Sequence, residues 1–273
     1  MNDEQAMLWN GASGRAWVEA QPILDAMFKP FIDVLAEVCS PGSSVLDIGC
    51  GTGGTTLALA RRVGSRGRCL GIDISEPMIA AARSRAEREG VLAAFACADA
   101  QTHELEPAAF DAIVSRFGVM FFEDSGRAFT HLRLAARTGA LLRFIAWRAP
   151  AENPFMTTAE RAAAPFLPDI PPRVPDAPGQ FAFADRDRVL SILKQAGWID
   201  IEIEPMDVDC ALPASALERY FTQFGPLGRV LQDTDEGTRT RIVESVRAAF
   251  GPYVFGSEVR FTAACWVADA RAP

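Results

Sequence analysis

Ten residues constrain this chain more than any others: Val45-Leu46-Asp47-Ile48-Gly49-Cys50-Gly51-Thr52-Gly53-Gly54. The stretch opens as a short β-branched apolar run, which predicts a buried parallel strand. It closes in glycines just before Thr55–Val63, where helical spacing begins. Glycines let the backbone turn sharply and approach a ligand with no Cβ in the way. The N-terminus of the following helix then directs unpaired N–H groups at that ligand. A strand, a glycine turn and a helix in this order predict a small-molecule site.

The same rhythm continues downstream. Arg68–Asp73 predicts a second strand and Pro77–Glu89 its helix; Ala94–Ala98 and Phe110–Ser115 predict the third and fourth strands. Ala128–Arg137 predicts a helix, and Thr138-Gly139 turns into a fifth strand, Ala140–Trp147. Alternation of this kind implies β-α-β units and a mostly parallel sheet. After Trp147 the pattern breaks into a Pro-rich connection containing Pro165, Pro168, Pro171, Pro172, Pro175 and Pro178. A long connection inside a compact domain predicts a functional lid or a linker. A helix (Arg186–Ala196), a strand (Trp198–Glu204), two helical stretches (Ala214–Leu231, Glu236–Phe250) and a last strand (Glu258–Val267) complete the chain. The expected fold is α/β, a doubly wound, mostly parallel sheet of seven strands with the last antiparallel, carrying a helical and Pro-rich cap. Four segments are expected: 1–40, an arm and helix covering the site; 41–148, the cofactor-binding core; 149–184, the lid; and 185–273, the completion of the sheet with a helical cap inserted at 213–250. The ligand is expected at the carboxyl ends of the strands, near the switch in strand order.

Gly49, Gly51 and Gly54 satisfy the dinucleotide spacing G-x-G-x-x-G, and Asp73 stands where that fingerprint has its ribose-binding acid. A nicotinamide or flavin enzyme is therefore one reading. Three features favour S-adenosylmethionine instead. Asp47 precedes the glycines inside an apolar strand, where a buried carboxylate needs partners; a cationic cofactor with an amino-acid tail, or the N–H groups of the turn, could supply them. Asp99 ends the third strand, where a carboxylate can accept the adenine amino group. The chain also ends as strand, helices, strand, which fits an antiparallel hairpin rather than a second βαβαβ half.

These segments resemble the class I S-adenosylmethionine-dependent methyltransferases. Asp47-Ile48-Gly49-Cys50-Gly51-Thr52-Gly53 resembles motif I, and Gly71-Ile72-Asp73-Ile74-Ser75 resembles motif II, with Met78 at the usual apolar position. Asp111-Ala112-Ile113-Val114-Ser115-Arg116-Phe117 is similar to the fourth-strand segment. Thr138-Gly139-Ala140 stands at the turn before the fifth strand, where the family usually has a proline and paired glycines. Gly179-Gln180-Phe181 through Gly197-Trp198 is similar to the helix and strand after the lid. The likeness is nearest the ubiquinone/menaquinone-biosynthesis-like small-molecule subgroup. It implies a Rossmann-like methyltransferase fold and S-adenosylmethionine as methyl donor, leaving S-adenosylhomocysteine as product. It further implies that Gly49, Gly51 and Gly53 line the methionine and ribose portion, and that Asp73 holds the ribose hydroxyls. Ile74 would pack on adenine, Asp99 and Ala100 would meet its edge, and Arg116 and Phe117 would border the sulfonium and substrate.

The rest of the composition narrows the function. Lys and Arg number 27 against 35 Asp and Glu, a net charge of −8, and nucleic acid binding draws mainly on cations. A small-molecule substrate is expected, with no nucleic acid partner. No apolar run approaches the roughly 20 residues that span a bilayer, and no secretory leader is recognisable. The six cysteines form no C-x-x-C pair, so no metal site is expected, and a reducing cytoplasmic setting is. Only two histidines, His103 and His131, offer a general base, and both are weak candidates: His103 sits in a polar loop and His131 on a helix face. Catalysis is therefore expected mainly by proximity and water exclusion. Trp9 and Trp17 in the arm are candidates to cover the cofactor or substrate, with Arg15 between them a candidate carboxylate ligand. Phe117 and Phe121 after the fourth strand are candidate substrate contacts. The Trp-bearing arm or the helical cap could also form a homodimer contact. The competing reading within the same fold is a binding protein that keeps the cofactor but does not turn it over.

Overall fold

Apolar runs of four to seven residues become the first four strands of one sheet. The computed structural model describes residues 3–167, 174 and 176–273. Three helices come first: α1 (Asp3–Asn10), α2 (Ala12–Glu19) and α3 (Gln21–Ala36). The alternating core follows as β1 (Ser44–Ile48), α4 (Gly54–Val63), β2 (Arg68–Asp73), α5 (Glu76–Glu89), β3 (Ala94–Cys97), β4 (Phe110–Arg116), α6 (Ser125–Ala135) and β5 (Ala136–Trp147). Then come α7 (Pro154–Ala163), α8 (Arg186–Gln195), β6 (Ile199–Pro213), α9 (Leu217–Gln223), α10 (Gly225–Val230), α11 (Glu236–Ala249), β7 (Val254–Phe255) and β8 (Glu258–Arg271).

The strands lie in the order β3-β2-β1-β4-β5-β8-β6, with the two-residue β7 paired to β8. β1 to β5 run parallel, and β8 is antiparallel to both β5 and β6. This is the mixed, mostly parallel sheet that the sequence predicts, with β7 as an eighth, minimal strand. The chain moves outward from β1 through β2 to β3, then returns to the other side of β1 with β4. The strand order therefore reverses between β1 and β4, and the carboxyl ends of these strands open the crevice where such sheets bind ligands. All five β1 residues are buried, as expected for a strand with helices on both faces.

Several boundaries differ from the sequence expectation, each for a tertiary reason. α6 ends at Ala135 and β5 starts directly at Ala136. Phe110 pairs with Ala136 but Ala112 with Leu141, so Arg137-Thr138-Gly139 form an excursion inside the strand. β6 runs to Pro213 rather than ending near Glu204. Pro205 interrupts the apparent pattern, but β6 is a sheet edge, where the missing N–H has no partner to lose. The Pro-rich connection contains α7, whose Phe155, Thr158 and Ala163 are buried. Pro154 sits in its first turn, where its fixed φ suits a helix start. Pro168, Pro171, Pro172 and Pro175 lie outside the described residues. Among the described residues no helix is long and apolar enough to cross a membrane.

The cap is tied to the sheet by one buried amide. Beyond Trp147, where β5 stops covering β8, Asn153 Nδ2 donates to the Ala264 carbonyl at 2.9 Å and Asn153 Oδ1 accepts from the Ala264 N–H at 2.9 Å. The side chain thus supplies the acceptor that the Ala264 N–H would otherwise lack, while the Ala264 carbonyl also accepts from the Arg148 N–H at 3.0 Å. Removing it leaves a buried N–H unpaired, which costs roughly 1–3 kcal/mol. Asn153→Ala is expected to lower unfolding free energy by about 2 kcal/mol in urea titration. A change within ~0.5 kcal/mol would show that the amide is dispensable.

Candidate functional site

The turn after β1 begins with two backbone bonds from a neighbouring strand: the Gly49 and Cys50 N–H groups both donate to the Ile72 carbonyl, at 2.8 and 3.0 Å. Gly49 adopts φ +66°, and a Cβ on it would stand 2.6 Å from Gly118 Cα. Glycine is required there for conformation and for space. Gly49 and Gly51 line a cavity of about 130 Å³ at the carboxyl ends of the strands. Gly53 does not line it; a Cβ there would press on Ala82 and the Phe95 ring.

The three acids singled out in the sequence occupy three environments. Asp73, at the end of β2, lines the cavity. Its Oδ2 accepts from the Gly51 N–H at 2.8 Å and its Oδ1 from the Ser75 N–H at 2.9 Å. Burial raises its pKa while these backbone donors oppose the shift. Asp99 also lines the cavity and holds its loop by accepting from the Gln101 N–H at 2.9 Å. Gln101 Oε1 in turn accepts from the Asp124 N–H at 3.0 Å, joining that loop to the start of α6. Asp47 lies beneath the turn and outside the lining. Its Oδ2 accepts from Thr56 Oγ1 at 2.6 Å, whereas its Oδ1 is buried without a partner. Burial pushes its pKa up to about 7, because a carboxylate out of water favours its neutral form.

Ile74, Met78 and Ala100 contribute apolar lining beside these acids. Arg116 and Phe117 line the far side, at the end of β4. Phe117 has φ +66°, a strained conformation for a bulky residue. The ring gains a stacked neighbour in return: Trp147 lies 4.6 Å away at an interplanar angle of 9°. Ser115 makes the bend possible. Its Oγ donates to the Ile48 carbonyl at 2.8 Å and accepts from the Gly118 and Val119 N–H groups at 3.1 and 3.2 Å.

The first part of the arm expected to cover the site is two helices, α1 and α2, roofing this cavity. Trp9 meets Phe121 edge-on at 5.2 Å and Trp17 at 6.0 Å, and Trp17 meets Phe224 at 5.9 Å. Trp9, Trp17 and Phe121 all line the cavity, whereas Arg15 is exposed on α2 and does not. The roof is latched directly after Asp73. Asn10 Nδ2 donates to the Ile74 carbonyl at 3.0 Å and Asn10 Oδ1 accepts from the Glu76 N–H at 2.8 Å. Ser75 Oγ donates to the Trp9 carbonyl at 2.7 Å. His131 Nε2 lies 2.7 Å from the His103 carbonyl oxygen, and neither imidazole lines the cavity.

Phe122, in the aromatic series after the fourth strand, lines the cavity as well; Gln5, Ile48, Ile72, Ala98 and Gly118 also line it and were missed in the sequence. Ile48, Ile72 and Ala98 each directly precede a chosen residue at a strand end, so the strand-end rule alone could have found them. Gly118 is a glycine directly after strand four, a weaker signal. Gln5 enters only because α1 folds back, which no local pattern announces. Among the described residues no group of three or more His, Cys, Asp or Glu side chains is placed to hold a metal ion.

Residues 45–139 match the family described as "Methyltransferase domain". A 2-phytyl-1,4-naphtoquinone methyltransferase from Trichormus variabilis is 31% identical over 119 residues, 43% of this chain and 52% of that protein. A ubiquinone/menaquinone biosynthesis C-methyltransferase, UbiE, from Ralstonia pickettii is 28% identical over 190 residues, 66% of this chain and 76% of that protein. The chain spans about half the length of the first two curated relatives it matches. The YcgJ protein from Bacillus subtilis shares the fold with a TM-score of 0.58 at 16% identity, covering 90% of this chain and 97% of that one.

The raised Asp47 pKa has a consequence for stability. The folded chain holds a proton, up to about pH 7, that the unfolded chain releases near 3.8. That proton-linked stabilisation is whole below the lower value and is lost as pH rises through the upper one. A shift of about three units corresponds to roughly 4 kcal/mol. In the unliganded protein, Asp47→Asn is expected to gain stability relative to wild type between pH 4 and pH 8, by a few kcal/mol at most. Denaturation at several pH values checks this, and a pH-independent difference would contradict it.

Proposed function

We propose that this chain is a class I S-adenosylmethionine-dependent methyltransferase that transfers the methyl group of S-adenosylmethionine to a small-molecule acceptor, a reading supported by the methyltransferase-domain match over residues 45–139 and by the similar methyltransferases. One observation carries this reading. A carboxylate at the end of β2, Asp73, and another after β3, Asp99, face one crevice at the switch point, with Ile74 and Met78 beside them. That spacing suits a ribose diol followed by an adenine ring. The buried, unpartnered Arg116 Nη1 on the cavity lining suits a ligand that brings an acceptor there. A nicotinamide dinucleotide is less well served, because β8 and β6 close the sheet as an antiparallel hairpin where a second nucleotide-binding half would stand.

In this reading Asp73 accepts the ribose hydroxyls, and its bond to the Gly51 N–H holds the turn against the sugar. Ile74 and Met78 sandwich adenine, while Asp99 and Ala100 meet its edge. Gly49 and Gly51 let the backbone approach, and Gly53 shapes the turn from behind. The bound sulfonium supplies an activated methyl group with a good leaving group. The protein's part is to align the acceptor in line and keep water out. Phe117, Phe121, Trp9 and Trp17 form the apolar wall for this, and His103 and His131 have no part in it. The acidic net charge and the apolar wall favour a small molecule over nucleic acid as acceptor. A cavity of about 130 Å³ is smaller than the roughly 300–1,000 Å³ of small-molecule pockets. Helices α1 and α2 therefore swing away to admit the ligands, and the cap around α7 to α11 completes the cover.

Calorimetry is expected to show binding of S-adenosylhomocysteine and none of a nicotinamide dinucleotide. Asp73→Asn should weaken that binding ~10–100-fold, the equivalent of about 1.5–3 kcal/mol for hydrogen bonds to a charged group. Tight dinucleotide binding without nucleoside binding would end this reading. Incubation with methyl-labelled donor and a panel of metabolites then separates a transferase from a binding protein.

A further inference from the structure

Among the residues that line the cavity, Gln5, Trp9 and Trp17 lie outside the stretch that matches the methyltransferase domain, and every other one lies within it. All three come from the roof: Gln5 and Trp9 from α1, Trp17 from α2. A domain shared by many methyltransferases can hold what they share, the methyl donor. Acceptors differ from one enzyme to the next, so a segment outside that domain is where this chain can tell its own acceptor apart. The two indoles offer it apolar surface. Gln5 adds a side-chain amide, the group best suited to reading a single polar atom on an apolar body.

The orientation of that amide is fixed by chemistry. An indole nitrogen carries a proton and accepts nothing, so Trp9 Nε1 can only donate. It does so to Gln5 Oε1 at 3.2 Å, one helical turn away; an amide nitrogen in that place would set two donors against each other. The oxygen of Gln5 therefore faces Trp9, and the nitrogen is left over. Among the described residues Gln5 Nε2 has no hydrogen-bond partner, although the side chain is partly buried on the cavity. Its tether is itself held in place. The Trp9 ring meets Phe121 edge-on at 5.2 Å and Trp17 at 6.0 Å, and the Trp9 carbonyl accepts from Ser75 Oγ at 2.7 Å. Gln5 Nε2 is thus a positioned donor. Asp73 and Asp99 are acceptors and serve the nucleoside in the reading above, so the roof supplies the complementary polarity.

We propose that Gln5 determines acceptor specificity: its Nε2 donates to an oxygen of the methyl acceptor while Trp9 and Trp17 cover the acceptor's apolar body. This rests on the methyltransferase reading above and adds the chemistry of the molecule that is methylated. Two variants separate direct donation from mere support of Trp9. Gln5→Glu keeps an oxygen for Trp9 Nε1 and replaces the donor with a second acceptor; Gln5→Leu removes both. Calorimetry at about pH 8, with each protein saturated in S-adenosylhomocysteine, compares 1-tetralone with tetralin, bicyclic rings alike except for one carbonyl. Wild type is expected to bind 1-tetralone ~3–10-fold more tightly than tetralin, the size of one neutral hydrogen bond. Both variants should erase that preference, and Gln5→Leu should bind S-adenosylhomocysteine within about 3-fold of wild type. A preference retained by Gln5→Glu would show that the amide only steadies Trp9, and overturns the proposal. A larger loss of S-adenosylhomocysteine in Gln5→Leu places the amide on the cofactor and overturns it too, as does a wild type that holds 1-tetralone no more tightly than tetralin. If wild type does not bind S-adenosylhomocysteine, this inference and the methyltransferase reading fall together. If it does and only the 1-tetralone comparison fails, this inference falls alone.

Discussion

Gly118 lies so close to the turn after β1 that a Cβ on it would fall 2.5 Å from the Ile48 carbonyl oxygen and 2.7 Å from Gly49 Cα. Two chain segments here touch backbone to backbone, and the crevice is built around that contact. It brings the end of β4 across the end of β1 at the point where the strand order reverses. Ser115 ties the two together by spending its hydroxyl on both. Phe117, immediately before the contact, is driven to positive φ and is held there by stacking on Trp147. A local strain of the order of 1–3 kcal/mol is offset by aromatic packing that continues into α3 through Phe28 and Phe31.

Polarity is arranged around the same contact. Most buried polar groups here are satisfied, as folding demands, including Asp73 by two backbone N–H groups and Asn153 by two backbone partners. Among the described residues the exceptions are one oxygen of Asp47 and one nitrogen of Arg116. Each is a cost to the unliganded fold.

The sheet was largely legible because strand and helix periods differ and glycines mark the turns between them. The β1 turn, the acid at Asp73 and the acid at Asp99 follow from position alone: each stands at the carboxyl end of a predicted strand. Other features were legible only in part. Pro205 made β6 look short, since a sequence does not say which strand is an edge. The Pro-rich composition of the cap connection hid α7, whose apolar face has meaning only against its tertiary neighbours α10, α11 and β8. Asp47 and Gly53 belong to the motif yet stand behind the cavity wall rather than in it, a distinction of depth that spacing does not encode.

What the amino-acid order determined by itself is the alternation of buried strands and helices and the residues at the strand ends, because both follow from local periodicity and backbone conformation. What only the tertiary structure decided is which side chains meet across the crevice. Gln5 and Trp9 reach it because α1 folds back onto the turn after Asp73. Arg15, two residues from Trp17, faces water. Asp25 pairs with Arg85, 60 residues further along the chain. Those outcomes depend on long-range packing and on competition for a limited set of counter-charges.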